Sequence, residues 1–124
     1  MKIFVASSFL NKLKARKLED GLRYEGYAVV SAWVNHPKGM GMRDAAIDDV
    51  QRLVKADALV VLWPGRLGTN AELGMAIALG IPVVMVGAVP TRKSVYFHHP
   101  IVTIVANYAE LLEKLIGLLE DAGR

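Results

Sequence analysis

The chain has 124 residues, of which 53% are hydrophobic, and this length and composition suit one folded domain, spanning 1–124, with a substantial core. Charged residues and glycines interrupt every apolar run before it could cross a membrane, and the N-terminal MKIFVASSF lacks a signal-peptide layout, so we expect a cytoplasmic protein. The absence of cysteine excludes disulfides and thiolate metal sites. The formal charge is +3, and the basic residues are too scattered along the chain to predict binding to a nucleic-acid polymer.

Apolar runs alternate with helical patterns along the chain. The first run, KIFVA at 2–6, predicts a buried strand, and the pattern at 9–25 predicts a helix that Ser7 and Ser8 can cap. Further strands are predicted at 27–33, 58–63, 82–87 and 101–105, and further helices at 43–55, at 70–79 and from Asn107, which forms a capping box with Glu110.

The regular alternation of strand and helix predicts an α/β fold with one doubly wound, five-stranded parallel sheet. Five strands suit the flavodoxin-like order 2-1-3-4-5, with helices on both faces as a three-layer sandwich. In such sheets ligands bind beyond the carboxyl ends of the strands. We therefore expect the functional residues at 6–9, 33–36, 63–68 and from 87 onward.

Glu72 is the only charged residue in the segment 67–91. The predicted helix around it is apolar on all sides, which is typical of a buried helix. If Thr69 or Asn70 is the N-cap, Glu72 lies in the first turn, where the helix dipole favours an ionised carboxylate that can act as a nucleophile. The alternative is that Glu72 closes a capping box with Thr69 and has no chemical role.

Two consecutive acids, Asp48 and Asp49, offer a second carboxylate. Asp48 shares a helix face with Arg52, as in a solvated ion pair. Asp49 lies on the side that should pack inward, together with Ala46, Leu53 and Ala56. Two carboxylates converging on one pocket, here Asp49 and Glu72, are what cleavage of a glycosidic bond requires. The alternative for Asp49 is a partly buried acid at a helix N-terminus.

Three segments resemble the nucleoside 2-deoxyribosyltransferase superfamily, which includes the deoxynucleoside 5'-monophosphate N-hydrolases. They are KIFVASSF (2–9), DDVQRLVKADALVVL (48–62) and GTNAELGMAIALGIPVV (68–84), of which the last is the most specific. The resemblance covers most of the chain in order, and 88–100 matches poorly.

This resemblance implies a reaction and a role for each residue. Glu72 would attack the anomeric carbon of the sugar, release the nucleobase and form a glycosyl ester, which water or a second base would resolve. Asp49 would assist the leaving base and hold the nucleophile. No cofactor or metal is implied. The implied substrate-binding residues are Ser7, Ser8, Phe9, Gly68 and Asn70.

Arg66 departs from the pattern of the superfamily. Six residues before the nucleophile, the nucleoside transferases carry an acid and the monophosphate hydrolases a serine. An arginine there suits bidentate binding of a phosphate, which favours a nucleotide substrate. Alternatively, Arg66 is exposed to solvent or pairs across a subunit interface.

Aromatic and histidine side chains are also expected near this edge of the sheet. Trp33 and His98 are candidates for packing on a nucleobase, with structural packing as the alternative. His36 and His99 lie in the same predicted loops. The spacing of the histidines matches no metal-binding motif, and we therefore predict no metal site.

The favoured function is cleavage of the N-glycosidic bond of a (deoxy)nucleoside 5'-monophosphate. Base exchange on free deoxynucleosides is the second hypothesis, and a non-catalytic nucleotide-binding module on the same fold is the third. PGRLGTNAE (64–72) is also similar to the motif of cytokinin-activating phosphoribohydrolases. A flavodoxin-type electron carrier is disfavoured, because ASSFLNK (6–12) lacks the hydroxyl-rich loop that binds the phosphate of flavin mononucleotide. We expect small-molecule partners, no membrane association and a homodimer or larger assembly.

Overall fold

Five parallel strands form one sheet in the order β2-β1-β3-β4-β5. The computed structural model describes residues 1–31 and 39–122. The predicted doubly wound, flavodoxin-like α/β fold is thereby confirmed. The strands are β1 (Lys2–Ala6), β2 (Ala28–Val29), β3 (Ala58–Leu62), β4 (Val83–Val86) and β5 (Val102–Val105).

Four helices cover the two faces of the sheet. They are α1 (Lys12–Tyr24), α2 (Met42–Val54), α3 (Leu67–Leu79) and α4 (Tyr108–Ala122), with short 3-10 turns at Phe9–Asn11, Thr91–Lys93 and Val95–His98. Each helix falls where the sequence predicts one, and Gly80 ends α3 in a left-handed conformation with φ of 71°. No helix in the described part of the chain is long and apolar enough to span a membrane.

Side chains alternate between two cores because neighbouring residues of a strand point to opposite faces. On one face, α2 and α3 pack against Phe4, Leu59 and Met85. On the other, α1 and α4 pack against Ile3, Val60 and Val84. Strands β1, β3 and β4 are buried on both faces, which explains their uninterrupted apolar sequences.

The edge strand β2 is shorter than predicted. The sequence predicts a strand over 27–33, whereas regular pairing covers Ala28–Val29. The N–H of Val30 still donates to the carbonyl of Ile3 at 2.8 Å, so contact with β1 continues by one residue. Residues 32–33 lie outside the described part of the chain, and they include Trp33.

Helix α3 begins three residues earlier than predicted. Its N-cap is Arg66, whose backbone N–H donates to Thr69 Oγ1 at 3.3 Å. Thr69 is therefore the third residue of the helix and not its cap. Glu72 lies in the second turn, so both the first-turn placement and the capping box with Thr69 are wrong. A Cβ on Gly65 would lie 2.5 Å from Thr69 Cγ2, so the helix can start this early because residue 65 has no side chain.

The structure confirms the predicted side-chain cap of the last helix but not that of the first. Asn107 Oδ1 accepts from the Glu110 N–H at 3.0 Å, and Glu110 Oε2 accepts from the Ala106 N–H at 2.7 Å, which confirms the cap of α4. Ser8 precedes a 3-10 turn and makes no capping hydrogen bond through its side chain. The Ser7 hydroxyl instead donates to the carbonyl of Leu62 at 2.8 Å.

Candidate active site

A cleft of about 630 Å³ opens at the carboxyl ends of β1 and β3. One wall is the loop after β1, and the other is the start of α3. Seven of the residues singled out in the sequence line this cleft, together with Leu67 and Thr69: Ser7, Ser8, Phe9, Arg66, Gly68, Asn70 and Glu72. The topology places them together because both walls follow adjacent parallel strands.

The carboxyl group of Glu72 is largely removed from water. Its Oε2 atom is buried and has no hydrogen-bond partner among the described residues. Burial, with a further contribution from the charge of Asp49, raises the pKa of Glu72 to about 8. The sequence predicts an ionised carboxylate stabilised by the helix dipole. That prediction is wrong because Glu72 lies beyond the first turn and loses its hydration.

Asp49 lies on α2 close enough to Glu72 for its charge to raise the pKa of Glu72. The Oδ1 atom of Asp49 is buried. Asp48 points elsewhere, since its Oδ2 accepts from Arg52 Nε at 2.8 Å. The structure therefore distinguishes the two consecutive acids as the helix pattern does, although Ala46, predicted on the inward side, is exposed.

The N-terminus of α3 presents positive partial charge to the cleft. The first helical hydrogen bond joins the Asn70 N–H to the Arg66 carbonyl, so the N–H groups of residues 67–69 have no acceptor within the helix. The Arg66 side chain is exposed beside them. A Cβ on Gly68 would meet nothing within 4 Å, so this glycine is not required by packing and leaves open space at the cleft.

Phe9 forms the outer part of the opposite wall. Its side chain is 69% exposed, so the ring is accessible from the cleft. The ammonium of Lys12 lies 5.3 Å from the ring centroid. Ser8, which precedes Phe9 in the chain, is buried.

Two predicted substrate-binding residues are not placed at this cleft. His98 Nε2 lies 2.7 Å from the carbonyl of Thr91, within the connection between β4 and β5, and does not line the cleft. Trp33 lies outside the described residues. Trp63, which follows β3, packs edge-on against Phe97 with ring centroids 5.6 Å apart, a contact that favours a structural role for this ring.

Two features of the structure were not predicted from the sequence. Asn11 hydrogen-bonds to the loop after β3 through Pro64, 53 residues away in the chain. Glu19 is fully buried in α1, and its Oε2 accepts from the Ser31 hydroxyl at 2.8 Å. Burial raises the pKa of Glu19. No group of three or more potential metal ligands occurs within 1–31 and 39–122.

The sequence matches no protein-family model and no curated protein, but its structure resembles several that have been solved. A conserved protein from Enterococcus faecalis superposes with a TM-score of 0.68 at 20% identity, over 91% of this chain and 95% of that one. A CMP N-glycosidase from Clostridium botulinum superposes with a TM-score of 0.64 at 19% identity, over 93% of this chain and 98% of that one.

A 2-deoxyribosyltransferase from Bacillus psychrosaccharolyticus superposes with a TM-score of 0.53 at 24% identity, over 72% of this chain and 76% of that one. This chain has the same fold. The likeness to these three structures extends over most of the chain and concerns the fold.

Proposed function

We propose that the protein is an N-glycosidase of the nucleoside 2-deoxyribosyltransferase superfamily that releases the base from a (deoxy)nucleoside 5'-monophosphate. This proposal rests on the pair Glu72 and Asp49: Glu72 lines the cleft, and Asp49, on α2, is near enough for its charge to raise the pKa of Glu72. The fold shared with a CMP N-glycosidase and a 2-deoxyribosyltransferase supports it.

The carboxylate pair can supply both a nucleophile and a proton. With its pKa raised to about 8, Glu72 keeps its proton at neutral pH. In our proposal the positive charge that develops on the sugar favours an ionised Glu72, and the proton passes through Asp49 to the departing base. The bond between C1' and the base nitrogen breaks as a bond from C1' to a Glu72 oxygen forms.

Hydrolysis of the glycosyl ester completes the cycle. Water attacks C1' and the bond to Glu72 breaks. The water gives up a proton to the carboxylate pair, which regains its starting protonation state. The products are the free base and the sugar phosphate, with retention at C1' before the released sugar equilibrates.

Recognition of a 5'-phosphate is assigned to the N-terminus of α3. The free N–H groups of residues 67–69, the open space at Gly68 and the nearby Arg66 guanidinium suit an anion with several acceptor oxygens. On the opposite wall we propose that Ser7, Ser8 and Phe9 contact the sugar and the base, with the exposed Phe9 ring stacking on the base.

Base release from a panel of nucleotides and deoxynucleotides tests the proposal. We expect Glu72→Gln to lower kcat by at least roughly 10³-fold, because loss of a nucleophile removes the covalent route. Asp48→Asn is the matched control, since Asp48 is a neighbouring acid paired with Arg52. We expect this control to keep activity within about twofold of wild type.

Wild-type activity in Glu72→Gln would refute the covalent mechanism. Tight nucleotide binding by the wild type without base release would instead identify a non-catalytic binding module.

Base exchange on free nucleosides is the second candidate, because the same glycosyl ester can be resolved by another base. The fold shared with a 2-deoxyribosyltransferase favours it. Incubation with one deoxynucleoside, one deoxynucleotide and a second free base separates the two activities. A new nucleoside in quantity would identify a transferase, whereas free base and sugar phosphate identify a hydrolase.

A further inference from the structure

Asn11 occupies the N-cap position of α1 but does not cap the helix. Asparagine is among the best N-cap residues because its side-chain oxygen can accept a backbone N–H. Here the side chain makes no capping hydrogen bond. Its amide Nδ2 donates instead to the carbonyl of Pro64 at 3.1 Å and to Ser7 Oγ at 3.3 Å. The side chain is therefore committed to contacts outside its own helix.

The two contacts of Asn11 join the two walls of the cleft. Ser7 belongs to the wall that follows β1, and Pro64 lies two residues before Arg66 in the loop that leads into the other wall. The Ser7 hydroxyl adds a second link, because it accepts from Asn11 and donates to the carbonyl of Leu62 at 2.8 Å. One side chain thus fixes the loop after β1 against the loop after β3.

The orientation of the Asn11 amide follows from its partners. The carbonyl of Pro64 can only accept a hydrogen bond, so the NH₂ group of Asn11 must face it. An aspartate at this position could receive the Ser7 proton but could not donate to Pro64. The carboxylate would also repel the Pro64 carbonyl oxygen, which carries negative partial charge.

We propose that Asn11 is a positioning residue that sets the spacing between the Ser7–Phe9 wall and the Arg66–Gly68 wall of the cleft. Its effect on turnover rests on the proposed function, because these walls are where we place the base, sugar and phosphate. Asn11 acts through Ser7 and Pro64, and it does not itself line the cleft.

Asn11→Asp tests this role because it separates capping from bridging. Aspartate is as good an N-cap as asparagine, so α1 is retained or gains stability. The link to Pro64 is lost. We expect kcat/KM on the best nucleotide substrate to fall roughly tenfold, mainly through KM, with an unchanged or higher melting temperature. We also expect faster hydrogen exchange of the Arg66 amide, whose N–H is bonded to Thr69 Oγ1.

Asn107→Asp is the matched control, because Asn107 occupies the corresponding position before α4 and its side chain does cap the helix. We expect this variant to keep both kcat/KM and exchange of the Arg66 amide at wild-type values. Asn11→Ala should show the exchange and KM effects of Asn11→Asp and, in addition, a melting temperature no higher than that of the aspartate variant.

Three results would overturn the proposal: kcat/KM of Asn11→Asp within twofold of wild type, unchanged exchange of the Arg66 amide, or a fall in activity matched by a fall in melting temperature. The last result would make Asn11 a residue of general stability. If the wild type released no base from any nucleotide, the proposed function would fail, and the exchange of the Arg66 amide would still decide whether Asn11 holds the two loops.

Discussion

At the scale of single residues, the environment of Glu72 determines its protonation. Burial, and then the charge of Asp49, raises its pKa from 4.5 to about 8. Sequence reasoning identified this residue because it is the only charge in a long apolar segment. The same reasoning assigned the wrong protonation state, because desolvation depends on packing against α2 and cannot be read from the residues around it.

The raised pKa of Glu72 predicts a pH dependence of stability. Above pH 4.5 the unfolded chain loses the Glu72 proton while the folded protein keeps it up to about pH 8, so Glu72 lowers stability as pH rises through this window. Glu72→Gln cannot titrate. We expect its free energy of unfolding, relative to wild type, to increase by up to about 1.4 kcal/mol per pH unit in the same window.

Urea unfolding of both proteins at several pH values between 5 and 8 measures this difference. Glu110→Gln is a suitable control, since Glu110 caps α4 away from the cleft. A difference between Glu72→Gln and wild type that does not change with pH would show that Glu72 is ionised in the folded protein.

At the scale of elements, the start of α3 determines what the cleft can bind. The sequence correctly predicts the helix, but it places the N-terminus at Thr69 or Asn70 because these are favourable caps. Arg66 is a poor cap by type. The structure starts the helix there because Gly65 lets the Thr69 side chain pack against the loop. The early start brings the free N–H groups of the helix beside Arg66.

This arrangement predicts that Arg66 discriminates nucleotides from nucleosides. We expect Arg66→Ala to raise KM for a nucleoside 5'-monophosphate roughly tenfold or more and to change KM for the free nucleoside less than twofold, because only the nucleotide carries the phosphate. Steady-state base release on both substrates measures this, and Arg92→Ala, on the connection after β4, serves as the control. An equal change for both substrates would contradict a phosphate-binding role.

Helix α1 illustrates what the sequence could not predict. Glu19 stands beside Asp20 in a charged segment that is typical of a solvated helix face. Its burial depends on Ser31, which comes from the residues after β2 and also accepts from the Val5 N–H at 3.0 Å. The hydrogen bond from Asn11 to Pro64 joins residues 53 positions apart. Local periodicity carries no information on either link.

At the scale of the whole molecule, strand order and helix placement were predicted correctly because the strands are continuous apolar runs with clear helical patterns between them. The prediction that α3 is buried on all sides is wrong. Leu67 is 89% exposed and Leu79 51% exposed, and on the neighbouring α2 Met42 and Val54 are 93% and 56% exposed. On α2, Ile47 and Val50 are also exposed and lie one turn apart from each other and from Val54, and a contiguous apolar stripe of this kind favours association.

We therefore expect the protein to form a homodimer or larger assembly through α2 and α3. Val54→Asp should shift the protein towards monomer, because it places a charge on the exposed apolar side of α2. Sedimentation at several concentrations measures the state. Leu13→Asp is the control, since Leu13 is 79% exposed on α1, across the sheet. If neither variant dissociated the assembly, or if both dissociated it equally, the result would contradict an α2–α3 interface.

The buried carboxyl group of Glu72 also affects which substrates can approach the cleft. An ionised Glu72 in the cleft would repel an incoming phosphate, with about 1 kcal/mol per pair of unit charges 4 Å apart in water and more where water is excluded. Because Glu72 keeps its proton at neutral pH, a dianionic nucleotide meets one fewer negative charge on entry. In the proposed mechanism, the Glu72 proton would thus first reduce the repulsion of the incoming phosphate and would later leave with the base.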